Sequence, residues 1–123
     1  MKLTKTLKNW ADAEIKLAKI DLNKLSHNEI HVIKWYFFGS CDLCCQAMEL
    51  DDKEFLTLFR ETLRHISIPN EEIEETVGIW MLDKIENDEL AIINKGAHSF
   101  SLFKNQPNGV GGLTHCLSTF KNE

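Results

Sequence analysis

Cysteines are the residues best equipped for chemistry in this chain, and three of its four stand together in WYFFGSCDLCCQA, residues 35–47. Cys41 and Cys44 form a C-x-x-C pair, Cys45 follows directly, and Cys116 stands beside His115 near the C-terminus. Two chemistries suit these residues. A C-x-x-C pair on the first turn of a helix has its leading thiol acidified by free backbone amides and the helix dipole, which favours thiol–disulfide exchange. Alternatively, Cys41, Cys44 or Cys45, His115 and Cys116 have the ligand types of a tetrahedral zinc site.

Each chemistry makes demands on the elements around it. The redox arrangement needs a strand that ends where Cys41 opens a helix. HVIKWYFFG, residues 31–39, is rich enough in β-formers to pass as that strand, and Ser40 could cap the helix. To that extent the segment resembles the thioredoxin motif, which implies a thioredoxin-like fold as an alternative architecture. The resemblance is local. That family sets a cis-proline opposite the thiols after a further helix and strand, whereas Pro69 arrives too soon and Pro107 lies in a glycine-rich stretch.

The zinc arrangement has its own difficulty, because neighbours such as His115 and Cys116 point about 100° apart on one helix. Cysteines three residues apart on an apolar stripe are more commonly small core residues. His27 and His31 lie one turn apart, but H-N-E-I-H is not H-E-x-x-H, and the glutamate falls off the two-histidine face. Glu61 and His65 share a face without forming the Glu-x-x-His of a di-iron bundle. C-x-x-C-C is not the haem-attachment pattern C-x-x-C-H. NGVGG lacks the lysine and strand of a phosphate loop, and there is no G-x-S-x-G elbow. No enzyme motif survives, and no cofactor is expected unless the thiols hold zinc.

The periodicity upstream of the cysteines decides which element carries them. Ser26 and Glu29 fit a capping box. From there Ile30, Ile33, Phe37, Cys41, Cys44 and Met48 follow at steps of three and four, one helical stripe. A two-residue period fails, since Val32 and Ile33 are adjacent and the aromatics do not alternate. One helix over 27–49 is predicted, running through Cys41. Trp35, Tyr36, Phe37 and Phe38 step by about 100° each and so surround it. Such a helix belongs at the centre of a bundle, and Gly39 and Ser40 would let a neighbour approach closely. The sharper alternative makes Trp35, Tyr36 and Phe38 an exposed patch that a partner covers.

The remaining segments supply the packing. Leu3, Leu7, Ala11, Ile15, Ala18 and Leu22, with Trp10 beside them, give an amphipathic first helix whose lysines at 2, 5, 8, 16 and 19 lie mostly elsewhere. Asp51 and Glu54 repeat the capping box, with Leu50 and Phe55 spaced as a hydrophobic staple. The helix they start turns Phe55, Leu56, Phe59, Leu63 and Ile66 inward and stops before Pro69. Asn70 is placed to cap a fourth helix, with Glu71, Glu72, Glu74 and Glu75 near its positive end and a face of Ile73, Val77, Trp80, Met81 and Ile85. Residues 88–104 suit a helix capped by Asp88, with Leu90, Ile93, Ala97 and Phe100 inward. The alternative there is a hairpin over 90–103 turning at Asn94-Lys95-Gly96, which would make the fold α+β. NQPNGVGG, residues 105–112, reads as a loop, and Leu113, Cys116, Leu117 and Phe120 mark a short last helix. The expected architecture is an all-α single domain over 1–123, a bundle of five to six helices around the helix at 27–49.

At 123 residues the chain fits one domain and can bury a core without disulfides or metal. Its net charge of −5 is unevenly spread: residues 1–25 hold six lysines against three acids, and residues 49–89 hold thirteen acids against four bases. Only the first segment could present a basic face, so nucleic acid is not expected as a partner. That basic helix is expected instead to complement the acidic middle, within one molecule or between two. MKLTKTLKNWADAEIK has no apolar h-region and no stretch is long enough to span a bilayer, so a cytoplasmic chain with reduced thiols is expected. The functional expectation is a non-catalytic protein-interaction module, such as an adaptor, small chaperone or immunity-type inhibitor, with a protein partner or a homodimer. The alternative is a thiol-redox or zinc-dependent protein using the C-x-x-C-C cluster.

Overall fold

The capping box at Ser26 forms as its spacing requires. In the computed structural model, which describes residues 2–106 and 110–120 with side chains from residue 4 onward, Ser26 Oγ accepts from the Glu29 amide at 3.0 Å. Glu29 Oε1 in turn accepts from the Ser26 amide at 2.8 Å. The chain folds as α1 (Lys2–Ala18), α2 (His27–Met48), α3 (Asp52–His65), α4 (Asn70–Met81), α5 (Asn87–Asn105) and α6 (Gly112–Thr119), with no strand among the described residues. This is the all-α bundle expected, and each of the other five helices packs against α2.

Burial follows from that position. Every residue from Val32 to Cys41 is buried, so α2 has no solvent face over those turns. Trp35, Tyr36 and Phe38, the candidate exposed patch, are 0%, 0% and 6% exposed. Their surface is covered from within. Tyr36 stacks on Trp10 of α1 with ring centroids 5.3 Å apart, and Phe38 meets Phe55 and Phe59 of α3 and Trp80 of α4. Each such ring removed from water contributes roughly 2–3 kcal/mol, which is why the chain's own helices close over them.

The closest packing lies between α2 and α5. A Cβ added to Gly39 would collide with the Ile93 carbonyl oxygen, and one added to Gly96 with the Tyr36 carbonyl oxygen. The two glycines act reciprocally, each admitting the other helix's backbone. This overturns the hairpin alternative over 90–103 and the α+β fold with it. Gly96 lies inside α5 as a packing notch, and Asn94-Lys95-Gly96 makes no turn.

Helix ends depart from expectation in small ways. α1 stops at Ala18, where Lys19 takes a left-handed φ of 56°, and Leu22 reaches the core from the following turn. α2 closes at Met48 with Glu49 left-handed, its last carbonyls met by the amides of Glu49 and Leu50. Asp51 and Glu54 cap α3 reciprocally as expected. Asn70 does not cap α4. Pro69 holds the cap position, and Asn70 Oδ1 accepts instead from Arg64 Nη2 at 3.1 Å. α5 begins one residue before Asp88, with the Glu89 carboxylate accepting from the Glu86 amide at 2.9 Å. Within the expected loop at 105–112, residues 107–109 lie outside the described residues.

Ion pairs fasten the acidic middle, but among the described residues not to the lysines of α1. Lys34, 3% exposed on α2, lies 3.0 Å from Glu72 Oε1 and 3.7 Å from Glu75 Oε1 of α4. Arg60 of α3 makes a two-bond fork to Glu74 at 2.8 and 2.9 Å. The polar contact joining α1 to the middle is instead a hydrogen bond between the Asp12 carboxylate and His65 Nε2 at 2.8 Å.

Candidate functional site

α2 carries Cys41, Cys44 and Cys45 on its second half, far from its own first turn. The Cys41 amide therefore belongs to the helical ladder and offers the sulfur no free helix end, which overturns the thioredoxin-like alternative. All four thiols are free and buried. Burial pushes Cys41 and Cys44 above the ordinary thiol value and lifts Cys45 and Cys116 to about 11. Cys41 Sγ donates to Thr62 Oγ1 at 3.7 Å, and Cys44 Sγ lies 3.7 Å from Met48 Sδ. Thiols in this state are protonated core groups near neutral pH, poor nucleophiles and poor ligands.

His115 and Cys116 diverge as adjacent helical residues must: Cys116 is buried and His115 is exposed on α6. His27 is exposed, and His31 sits 3.6 Å from Glu89 Oε2 of α5. Among the described residues, no group of three or more His, Cys, Asp or Glu side chains is placed to hold a metal ion.

One polar cluster sits where no motif pointed. Glu14, 0% exposed, lies on the inward face of α1 between Ala11 and Ile15. One carboxylate oxygen accepts from the Tyr36 hydroxyl, and the other accepts from the amides of Gly111 at 2.9 Å and Leu113 at 3.5 Å. Ser99 of α5 also hydrogen-bonds the phenol, which burial and then the Glu14 charge push far above its ordinary pKa. Gly112 is required here, because a Cβ would strike both the Ser99 and Tyr36 hydroxyls. Glu14 thus supplies the negative charge that the amides opening α6 attract, and it ties α1, α2 and α6 together. Glu14 and Tyr36 are sealed from solvent, so the cluster works as a clamp on α6. Its one signal in the sequence is an acid at the fourth place of the stripe Leu7, Trp10, Ala11, Glu14, Ile15.

Outside the core, the surface feature that stands apart is the end of α4. Met81 and Leu82 are 69% and 67% exposed, adjoining an acidic helix. Asp83 follows them in a left-handed conformation with φ of 55°, and the Lys84 amide returns to the Ile79 carbonyl at 3.0 Å. This bond closes the helix just beyond the two apolar residues. Among the described residues, no helix is long and apolar enough to cross a membrane.

No protein-family model, curated protein or solved structure matches this chain.

Proposed function

We propose that the chain is a non-catalytic protein-interaction module, of the adaptor, small-chaperone or immunity-type inhibitor kind, working in the cytoplasm with its four thiols reduced. The observation that carries this reading is the apolar end of α4, where Met81 and Leu82 stand exposed beside an acid-rich helix. Large apolar side chains left in water side by side at a helix end gain free energy when a partner covers them. The buried thiols fit the same reading, since their protonated state suits packing better than redox work.

The test compares the chain with a Met81→Asp, Leu82→Asp variant as affinity bait in native-cell extract. Both residues are exposed, so the variant is expected to melt within a few degrees of the original. The reading expects a stoichiometric partner held by the original chain and lost by the variant. An identical set of captured proteins for both baits would refute the assignment. Stoichiometric zinc, or thiols that react at once in the folded protein, would move the thiol reading to the front.

A further inference from the structure

The outer face of α4 has more structure than its two exposed apolar residues. Glu71, Glu75, Gly78 and Leu82 follow at helical steps of four, three and four, with Met81 on the flank. A Cβ built on Gly78 meets no heavy atom within 4 Å, so this glycine weakens its helix without serving the packing of its own chain. Gly39 and Gly96 show what such a position does inside this molecule: it admits the backbone of another helix. Among the described residues α4 packs on α2 and α3 alone, and of this outer face Glu75 alone reaches back, 3.7 Å from Lys34. Glu71 makes no ion pair among the described residues, and Arg60 and Lys34 offset only part of the helix's remaining charge.

The complementary surface is on α1. Lys5 and Lys16 are exposed and Lys8 half-exposed along one outer stripe of α1, and the exposed Lys19 follows at its left-handed end. Asp12 shares that stripe but is engaged by His65. Among the described residues, none of these lysines pairs with an acid of its own chain, and α1 does not touch α4. The expected charge complement is therefore unspent within one molecule.

We infer that the outer face of α4 docks the lysine stripe of α1 from a second copy of this chain. The inference rests on the interaction-module reading and names the partner for its α4 face. The contact joins two different surfaces, so each copy offers one of each and copies add head to tail. Lysines meet Glu71 first and the outward side of Glu75, which stays 61% exposed beside Lys34, while Gly78 allows close approach and the apolar end of α4 meets the lysine stems. Surface ion pairs dominate, so the association weakens with salt.

Light scattering on the full chain at rising concentration tests this. At low salt the weight-average mass is expected to climb above the 14.2 kDa of one chain, and to return to it near molar salt, where the Debye length is about 3 Å. Lys16→Glu with Lys19→Glu, and separately Glu71→Lys with Glu75→Gln, which puts no second cation beside Lys34, should each leave the protein monomeric. Mixed in equal amounts, the two variants should associate again, because each then meets its opposite charge. Gly78→Arg should weaken association about tenfold or more while the melting temperature holds or rises.

A chain that stays at one-copy mass at every concentration in low salt overturns the inference. So does a mixture that fails to associate, or an unchanged mass curve for Gly78→Arg. If the one-copy result comes with a foreign partner lost by the Met81, Leu82 variant, the second copy is wrong and the interaction module stands. If that bait also captures an unchanged set, both fall.

Discussion

Replacing Gly39 with alanine should destabilise the fold, although alanine is the better helix former. In a helix interior the substitution alone gains about 0.8–1 kcal/mol. Against this stands the Ile93 carbonyl, which the new methyl would strike. A flexible side chain would swing aside, but a carbonyl inside α5 cannot rotate without breaking its helix. The two helices must separate instead, loosening the packing of Tyr36 and Ile93 along their crossing. Overpacking of this kind costs about 1–3 kcal/mol where side chains can adjust, and backbone-on-backbone collision belongs at or beyond the upper end. After the propensity gain, a net loss of about 2 kcal/mol remains. Gly96→Ala meets the Tyr36 carbonyl and should behave alike, while the double variant should lose less than the sum, because one separation accommodates both methyls. Gly78→Ala is the internal control: with open space around it, it should gain about 1 kcal/mol. Urea unfolding with a common m-value reads all four variants. A Gly39→Ala protein as stable as Gly78→Ala would refute the close crossing.

Glu14→Gln puts an amide donor among three donors, so it should cost about 2–3 kcal/mol in a urea titration and speed hydrogen exchange in α6; exchange unchanged there would refute the clamp. Lys34→Met should be near neutral in the same titration, because Glu72 is 26% exposed and can rehydrate, whereas a loss above about 3 kcal/mol would mean the buried ion pair carries α4. The thiols predict an alkaline limit. Their folded pKa values lie above the unfolded 9.0, so the thiols' contribution to stability is flat below pH 9.0 and falls between there and about 11 as the unfolded chain ionises. The slope is at most about 1.4 kcal/mol per pH unit for each thiol. Stability that holds level through that window, measured by thermal melts, would show the sulfurs to be hydrated.

What the sequence revealed was local. Ser26 with Glu29, Asp51 with Glu54, and the stripe from Ile30 to Met48 all act within a turn or two, and all appear in the fold. Gly39 was legible as a point of close approach because a small residue inside an apolar helix has few other uses. Its counterpart Gly96 was not, since glycine after Asn-Lys signals a turn equally well and the deciding backbone lies on α2. The caps at Asn70 and Asp88 missed by a residue or two, as helix ends do when Pro or a neighbouring side chain competes. Glu14 was hidden for a different reason. Its partners lie 22, 97 and 99 residues away, and nothing local distinguishes a clamped carboxylate from an ordinary exposed one. Lys34 escaped similarly, with Glu72 38 residues downstream.

These attachments differ in kind, so the helices should not open together. α2 and α5 touch backbone to backbone, whereas α4 buries a narrow face of Ile73, Thr76 and Val77 and is tied at its rim by the exposed Arg60–Glu74 fork. Of its ion pairs, Lys34–Glu72 is shielded from salt by burial, while Arg60–Glu74 is exposed and screened. The Arg60 guanidinium, by hydrogen bonding, holds Glu74 below its ordinary carboxylate value. A depressed folded pKa contributes stability that is present above the unfolded value of 4.5 and is lost as pH falls through the lowered one. Amide exchange should therefore accelerate in α4 before α2 and α5, both on adding salt at neutral pH and on acidifying below pH 4.5. Arg60→Leu should remove the response to salt. Equal protection in α4 and α2 across both titrations would mean that α4 is welded to the bundle by its apolar face alone, and that its outer surface is no freer to engage a partner than the rest.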